Sequence, residues 1–461
     1  MTEISRENKM GVMPVGRLLF TMAAPMVISM LVQALYNIVD SIFVSMYDPL
    51  LLQAVSLAFP AQNLMIGVAS GTAVGINALL SRSLGEKNNA LVSKSAGNGL
   101  LLAALGSLLF VFFGIFGAEP FLRFQETNAA VVKAGRDYLF YVCTFSVVLF
   151  AQITFERLLQ STGRTVYSMI SQLSGAIVNI ILDPILIFGW LGLPEMGIKG
   201  AAIATLIGQT VAASIGAFLH FRYNREIRVS LRDVRPERSV ILRIVSVAVP
   251  SILMVCIGSV MTVGMNRIFD GSGADGDAAT RVFGAYFKLQ SFIFMPVFGL
   301  NNGLIPIIAY NYGAGKRSRL LRALLYAVLS AVALMLIGLL LMQIIPGPLL
   351  GIFSADAAML RIGRAALRTI SLSFVFAGFC IVSSSSFQAL GKGFYSTLLS
   401  FARQLVVLLP VAYLLSLSGD LSIIWWSFPI AEIVSMTVAA LLFLRLYHRT
   451  IKKIPDHGSD A

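Results

Sequence analysis

The chain has 461 residues, 57% of them hydrophobic and only 12% charged, with a formal net charge of +13 and a mean hydropathy of +0.83. Soluble domains carry about 25% charged residues, so this composition excludes a water-soluble protein of two or three domains. The three cysteines lie far apart in apolar runs, which excludes a disulfide framework. His220, His448 and His457 sit at helix ends or in the tail without metal-ligand spacing, so no metal site is expected.

The first apolar run begins after Arg17 and continues far past the length of a signal peptide, so it reads as a membrane span. A spanning helix needs about 20 mostly apolar residues. Apolar runs set against turn and charge punctuation predict twelve spans, over 15–46, 51–80, 95–118, 134–156, 165–190, 197–221, 240–269, 278–309, 320–345, 359–388, 394–418 and 421–447. The expected organisation is an N-terminal lobe over 1–221, an Arg-rich linker over 222–239, a C-terminal lobe over 240–449 and a tail over 450–461. Of the 35 Lys and Arg residues, about 24 fall on the side that holds both termini. By the positive-inside rule both termini are expected in the cytoplasm. The excess positive charge is then a topology signal, and nucleic acid is not an expected partner. The seven arginines from Arg222 to Arg243 suit a solvated linker, with anionic lipid headgroups as the alternative.

An offset of 228 positions aligns Phe59 and Gln62 with Phe287 and Gln290. It also aligns Gly71, Gly75 and Gly85 with Gly299, Gly303 and Gly313, and Gln160 and Gly163 with Gln388 and Gly391. Upstream, Ala24-Pro25 matches Val249-Pro250 at an offset of 225. Six spans per unit give the two halves one orientation, a parallel repeat. Repeats of this kind place a site between the halves and expose it to each side by rocking, which points to a transporter rather than an enzyme. Gly67, Gly71 and Gly75 recur every four residues, a spacing that lets helix backbones approach closely.

Polar groups inside spans are costly and mark function. In span 1, Gln33, Tyr36, Asn37 and Asp40 share one helix face, and in span 5 so do Gln172, Gly175, Asn179 and Asp183. At 1.5 Å rise per residue, Asp40 lies about 34 Å from Arg17 and Asp183 about 28 Å from Arg164. Both acids therefore belong to the half of the membrane away from the termini. Two carboxylates at similar depth on facing stripes form a candidate site that takes a proton or, with Asn179, coordinates Na⁺. The plainer alternative has Asp40 capping the next loop and Asp183 ending a helix before Pro184.

The C-terminal half keeps neither acid: Ile268 and Val411 stand at the equivalent positions. It carries Lys288, Arg403 and Glu432 instead, and Glu432 could pair with either cation. Glu156 next to Arg157 suggests an ion pair at the end of span 4. Pro25 inside span 1 removes a backbone hydrogen bond and is a candidate hinge. Phe287 and Met295, in the aromatic-rich span 8, are candidates for a cavity that takes flat apolar cations.

Several stretches together resemble the MATE (multidrug and toxic-compound extrusion) family, in particular its bacterial MepA-like members. They are Leu35-Tyr-Asn-Ile-Val-Asp40-Ser-Ile-Phe, Ser83-Leu-Gly-Glu-Lys87, Leu159-Gln-Ser-Thr-Gly163, Asn179-Ile-Ile-Leu-Asp-Pro184 and Asn311-Tyr-Gly-Ala-Gly-Lys316. The resemblance implies an all-α integral membrane protein, twelve transmembrane helices in two six-helix lobes around a cleft. It implies a plasma-membrane efflux antiporter of a prokaryote that exports cationic amphipathic drugs in exchange for inward H⁺ or Na⁺. Membrane lipid would be its surroundings, a monomer its expected state, and the coupling ion its only cofactor. The cation site of members with N-lobe acids maps to Asp40, Asn179 and Asp183, with Tyr138 a looser match. The threonine that some members contribute from span 6 finds no assigned position. Alternatives are a lipid-linked-precursor flippase of similar architecture or another class of secondary transporter.

Overall fold

Backbone groups in hydrocarbon must be satisfied internally, and every predicted apolar run becomes a helix. The structure, a computed structural model, describes residues 7–47, 49–230, 232–271, 276–353 and 356–456. The N-terminal half comprises α1 (Val15–Tyr47), α2 (Pro49–Gly85), α3 (Asn89–Arg123), α4 (Ala129–Thr144 with Ser146–Ser161), α5 (Thr165–Ile187) and α6 (Ile198–Tyr223). The C-terminal half comprises α7 (Arg238–Asp270), α8 (Gly276–Gly313), α9 (Arg317–Ile344), α10 (Ala357–Ser371 with Phe374–Ala389), α11 (Gly393–Ser416) and α12 (Leu421–Lys453).

Two spans depart from the straight helices expected. α4 bends by 47° and α10 by 51°. The breaks fall at Phe145 and Ser373, which stand at the same place in the two repeats. Neither has a proline. In α10 the freed carbonyl of Ile370 is taken by the Ser373 hydroxyl at 2.6 Å, and Leu372 and Ser373 close i→i+3 backbone bonds. The side chain and the tighter turn re-satisfy the backbone that the bend releases.

The repeat also organises the interface between halves. A Cβ on Gly71 would lie 2.8 Å from Ile252 of α7, and one on Gly299 would lie 2.6 Å from the Val27 backbone of α1. These are equivalent contacts under the repeat, so α2 packs on α7 as α8 packs on α1. Gly75 meets the Ile244 carbonyl and Gly303 the Ala23 backbone in the same manner. At the ends of α2 and α8, Gly85 abuts the Tyr310 carbonyl and Gly313 the Arg82 carbonyl.

All of that crossing lies toward the side of the chain ends, which share one face: Lys316 bonds Glu7 at 2.6 Å and forms a bridge with Asp456. On the opposite side, aromatic contacts among the described residues join helices of the same half. Phe43 and Tyr47 pack on Phe188, and Phe269 packs on Trp425. The halves are thus joined on the terminal side.

A short N-terminal helix, Lys9–Val12, clamps the closed side. Asn8 Nδ2 donates to the Thr162 carbonyl (3.0 Å) in the N-terminal half and to Glu226 (2.7 Å) in the linker. From the C-terminal half, Asn311 Nδ2 donates to the Met10 carbonyl (3.1 Å) and Lys316 Nζ to the Gly11 carbonyl (2.9 Å). Burial at this clamp raises the Glu226 carboxyl above its ordinary range, an effect the Asn8 bond opposes. The pair Asn8→Ala and Lys316→Ala is expected to speed amide exchange across Lys9–Val12 while leaving exchange in α5 unchanged. Equal protection in the double variant would mean that the segment is held by packing alone.

The Arg-rich linker is less free than a solvated segment. Asn98 of α3 donates to the Asp233 carbonyl at 3.3 Å and accepts from the Glu237 amide at 2.9 Å, and Lys94 pairs with Glu237 at 2.8 Å. A Cβ on Gly97 would collide with the Asp233 backbone, so a small residue on α3 lets the linker lie flat against it.

Candidate functional site

The site is built where α5 and α6 come unusually close. α6 buries Ala204, Gly208, Ala212 and Gly216 at four-residue spacing, a small-residue stripe of the kind that brings membrane helices together. Cβ atoms on Gly175 and Gly208 would lie 2.7 and 2.8 Å from each other's carbonyl oxygens, and Ser171 Oγ donates to the Ala212 carbonyl at 2.7 Å. That approach sets Thr205 beside the polar stripe of α5. Asn179 Nδ2 donates to Thr205 Oγ1 at 3.4 Å and to Asp183 Oδ1 at 3.3 Å.

α1 supplies the facing wall. Gln33, Tyr36, Asn37 and Asp40 line a cavity of about 330 Å³ together with Gln172, Asn179 and Thr205. Tyr138 lines it as well, and its hydroxyl donates to Gln62 at 3.3 Å. Asp183 is fully buried behind Asn179, within electrostatic reach of Asp40. Asp40 Oδ1, Asn179 Oδ1 and Asp183 Oδ2 are all buried without a hydrogen-bond partner. Leaving one such acceptor unsatisfied costs about 1–3 kcal/mol, so three together are a large cost for a fold to carry without use. An oxygen-only set with two carboxylates suits a proton or a hard monovalent cation.

The capping alternative fails for Asp40, whereas Asp183 does lie within a turn of its helix end. α1 continues to Tyr47, well past Asp40, and α5 continues through Pro184 to Ile187. Pro25 likewise lies inside an unbroken α1. The expected pairing of Glu156 with Arg157 also fails, because neighbouring residues on a helix point apart. Glu156 accepts from Gln152 at 3.0 Å, while Arg157 Nη1 donates to Gln160 and, across the halves, to Asn302, both at 2.8 Å. Of the two cations offered to Glu432, Arg403 takes it at 3.1 Å, and Lys288 lies 5.9 Å over the Phe353 ring.

A second cavity, about 750 Å³, lies in the C-terminal half and is lined in part by Phe287. Met295 lines neither cavity, so the structure does not bring it to the N-terminal residues. Phe59 and Asn302 line both cavities and form the partition between them. Thr205 was missed in the sequence because a lone threonine in a helix is ordinary. The signal for it was the Ala204–Gly208–Ala212–Gly216 stripe, which marks α6 as the helix pressed against α5.

Two repeat-related six-helix halves, closed on one side and holding polar cavities at their junction, define a membrane transporter. The chain belongs to the MATE family of multidrug export transporters: the MatE family profile matches residues 25–185 and again 250–414, once in each half. Multidrug export protein MepA of Staphylococcus saprophyticus is 28% identical over 431 residues, covering 93% of each chain. A FAD transporter of Shewanella oneidensis is 27% identical over 402 residues, covering 87% of this chain and 88% of its own. Among solved structures, a MATE in complex with MaL6 superposes with a TM-score of 0.90 at 25% identity, covering 97% of this chain and 100% of that one. An outward-facing multidrug resistance MATE transporter superposes with a TM-score of 0.89 at 26% identity, covering 97% and 99%.

Proposed function

We propose that this protein is an efflux antiporter that exports cationic amphipathic compounds in exchange for inward H⁺ or Na⁺. The observation that carries this reading is the set of three unpartnered oxygens on Asp40, Asn179 and Asp183, buried in the membrane beside a polar cavity. Thr205 and Tyr138 complete the polar surroundings of the ion, and Gln33, Tyr36, Asn37 and Gln172 form the wall that a substrate would meet. With both termini in the cytoplasm of a prokaryote, as the distribution of Lys and Arg favours, the described state is closed toward the cytoplasm. An ion entering from outside then neutralises the acids, and substrate held by their charge is released outward. The MepA relatives, named as multidrug exporters, support the substrate class. Lipid surrounds a monomeric chain that needs no bound group beyond the coupling ion.

Ethidium efflux from cells, with either a H⁺ or a Na⁺ gradient imposed, is the direct test. Efflux should run with one of the two gradients and stop when that gradient is dissipated. Efflux indifferent to both would overturn the reading. Thr205→Val keeps the shape of the side chain and removes the Asn179 partner. One hydrogen bond is worth about 1 kcal/mol, so the ion concentration for half-maximal transport should rise about fivefold at an unchanged maximal rate.

A further inference from the structure

The cavity of the C-terminal half plays no part in the ion site, and its chemistry is different. Its volume of about 750 Å³ lies within the roughly 300–1,000 Å³ of pockets that hold drug-sized molecules. Tyr286, Phe287, Phe294 and Phe428 give it flat apolar walls, and Arg403 and Glu432 face it together. Charges within a span are expensive unless paired or used.

This pair is only half made. Arg403 Nη1 donates a single bond to Glu432 Oε1, whereas an Arg–carboxylate pair at full strength is bidentate. The Cys380 thiol, a weak donor, lies against the Glu432 carboxylate, yet Glu432 Oε2 is buried without a nitrogen or oxygen donor, and Asn301 Oδ1 and Ser384 Oγ on the same cavity are unpartnered as well. Asn301 is only 4% exposed. The Arg403 side chain keeps 26% of its surface accessible although it belongs to a membrane helix. It lies in a π-helical stretch of α11, Ala402–Leu408, and π turns within α-helices occur frequently at functional sites. A pair serving only to lock α11 to α12 would satisfy both partners.

The free valences have opposite sign. A purely cationic ligand would meet the Arg403 guanidinium, and a purely anionic one the spare oxygen of Glu432. We propose that this cavity is a second ligand site, separate from the ion site, for a flat aromatic zwitterion. Its anionic group seats on Arg403 and its cationic or N–H group on Glu432 and Asn301, with the ring system against Tyr286 and Phe428. Entry from the cleft between the halves runs past Phe59 and Asn302, the partition shared with the ion-site cavity.

The test uses the purified full chain and two dyes that differ only in the anion: a rhodamine with a free carboxylate and its methyl ester. Binding is read by fluorescence anisotropy. The double variant Arg403→Gln/Glu432→Gln keeps side chains of similar shape and avoids leaving one charge alone in the membrane. It is expected to weaken the carboxylate dye at least tenfold relative to the ester, a ratio that cancels any shared loss of folded protein. Asp40→Asn touches the cation that both dyes share and should leave the carboxylate-to-ester affinity ratio within twofold, so that failure of the ion-site reading is scored separately. An unchanged ratio in the double variant overturns the proposal, as does a tenfold fall of that ratio in Asp40→Asn.

Discussion

Asp40→Asn is expected to bring gradient-driven efflux down to the background of cells without the transporter, with the protein still folded and present in the membrane. Asparagine has nearly the shape of aspartate, so α1 loses no packing against its neighbours. What it loses is the charge. A neutral amide cannot be neutralised by an arriving ion, so the exchange has no step at which ion entry changes the site. Asp40 is the more accessible member of the pair: it lines the cavity, whereas Asp183 is fully buried. The ion would meet Asp40 first, and Asp183→Asn should also abolish coupled efflux by removing the second carboxylate. Removing one of two nearby like charges relieves repulsion, so neither variant should unfold more readily than wild type. Efflux in cells together with a thermal unfolding scan of the purified protein separates these outcomes. Wild-type efflux from Asp40→Asn would remove the N-terminal cavity as the coupling site.

The membrane fold was legible because each span announces itself by length and hydropathy, and the repeat by paired Gly and Gln at one offset. The bends at Phe145 and Ser373 were not, since neither carries the proline that marks a broken helix. At Ser373 a serine hydroxyl and i→i+3 bonds re-satisfy the backbone without a sequence signature. Asp40, Asn179 and Asp183 were legible because polar residues in a span are rare enough for their helical spacing to stand out. Thr205 and the Arg403–Glu432 pairing were not, because both depend on which helix lies next to which. Helix neighbours follow from small-residue stripes, and those on α2, α6 and α8 settle them only when their partners are known. Met295 illustrates the opposite error. Aromatic and thioether side chains in a span serve packing as readily as a cavity, and composition alone does not separate the two.

Gly75→Leu is expected to cost about tenfold in efflux and to open the terminal side of the transporter. A Cβ at this position would lie 2.5 Å from the Ile244 carbonyl and 3.1 Å from the Ile244 side chain. Backbone on α7 cannot move aside as a flexible side chain would, so α2 and α7 must separate. Overpacking of this kind costs about 1–3 kcal/mol, and 1.4 kcal/mol is about a tenfold change in an equilibrium. That cost falls on the state in which the halves are closed at the chain ends and is relieved when they part there. The population therefore shifts toward the state open on the terminal side, and the cycle loses the return step. Gly303→Leu, against the Ala23 backbone on the repeat-related contact, should shift it in the same direction. Gly16→Ala is the control, since its nearest neighbour would be the Tyr326 ring at 3.7 Å, an ordinary contact. Amide exchange across Lys9–Val12 reads the shift directly: it should accelerate in the two leucine variants and stay at the wild-type rate in the alanine one. Slow exchange with normal efflux in Gly75→Leu would mean that the glycine contacts tolerate a side chain and that closure rests on the clamp around Lys316 instead.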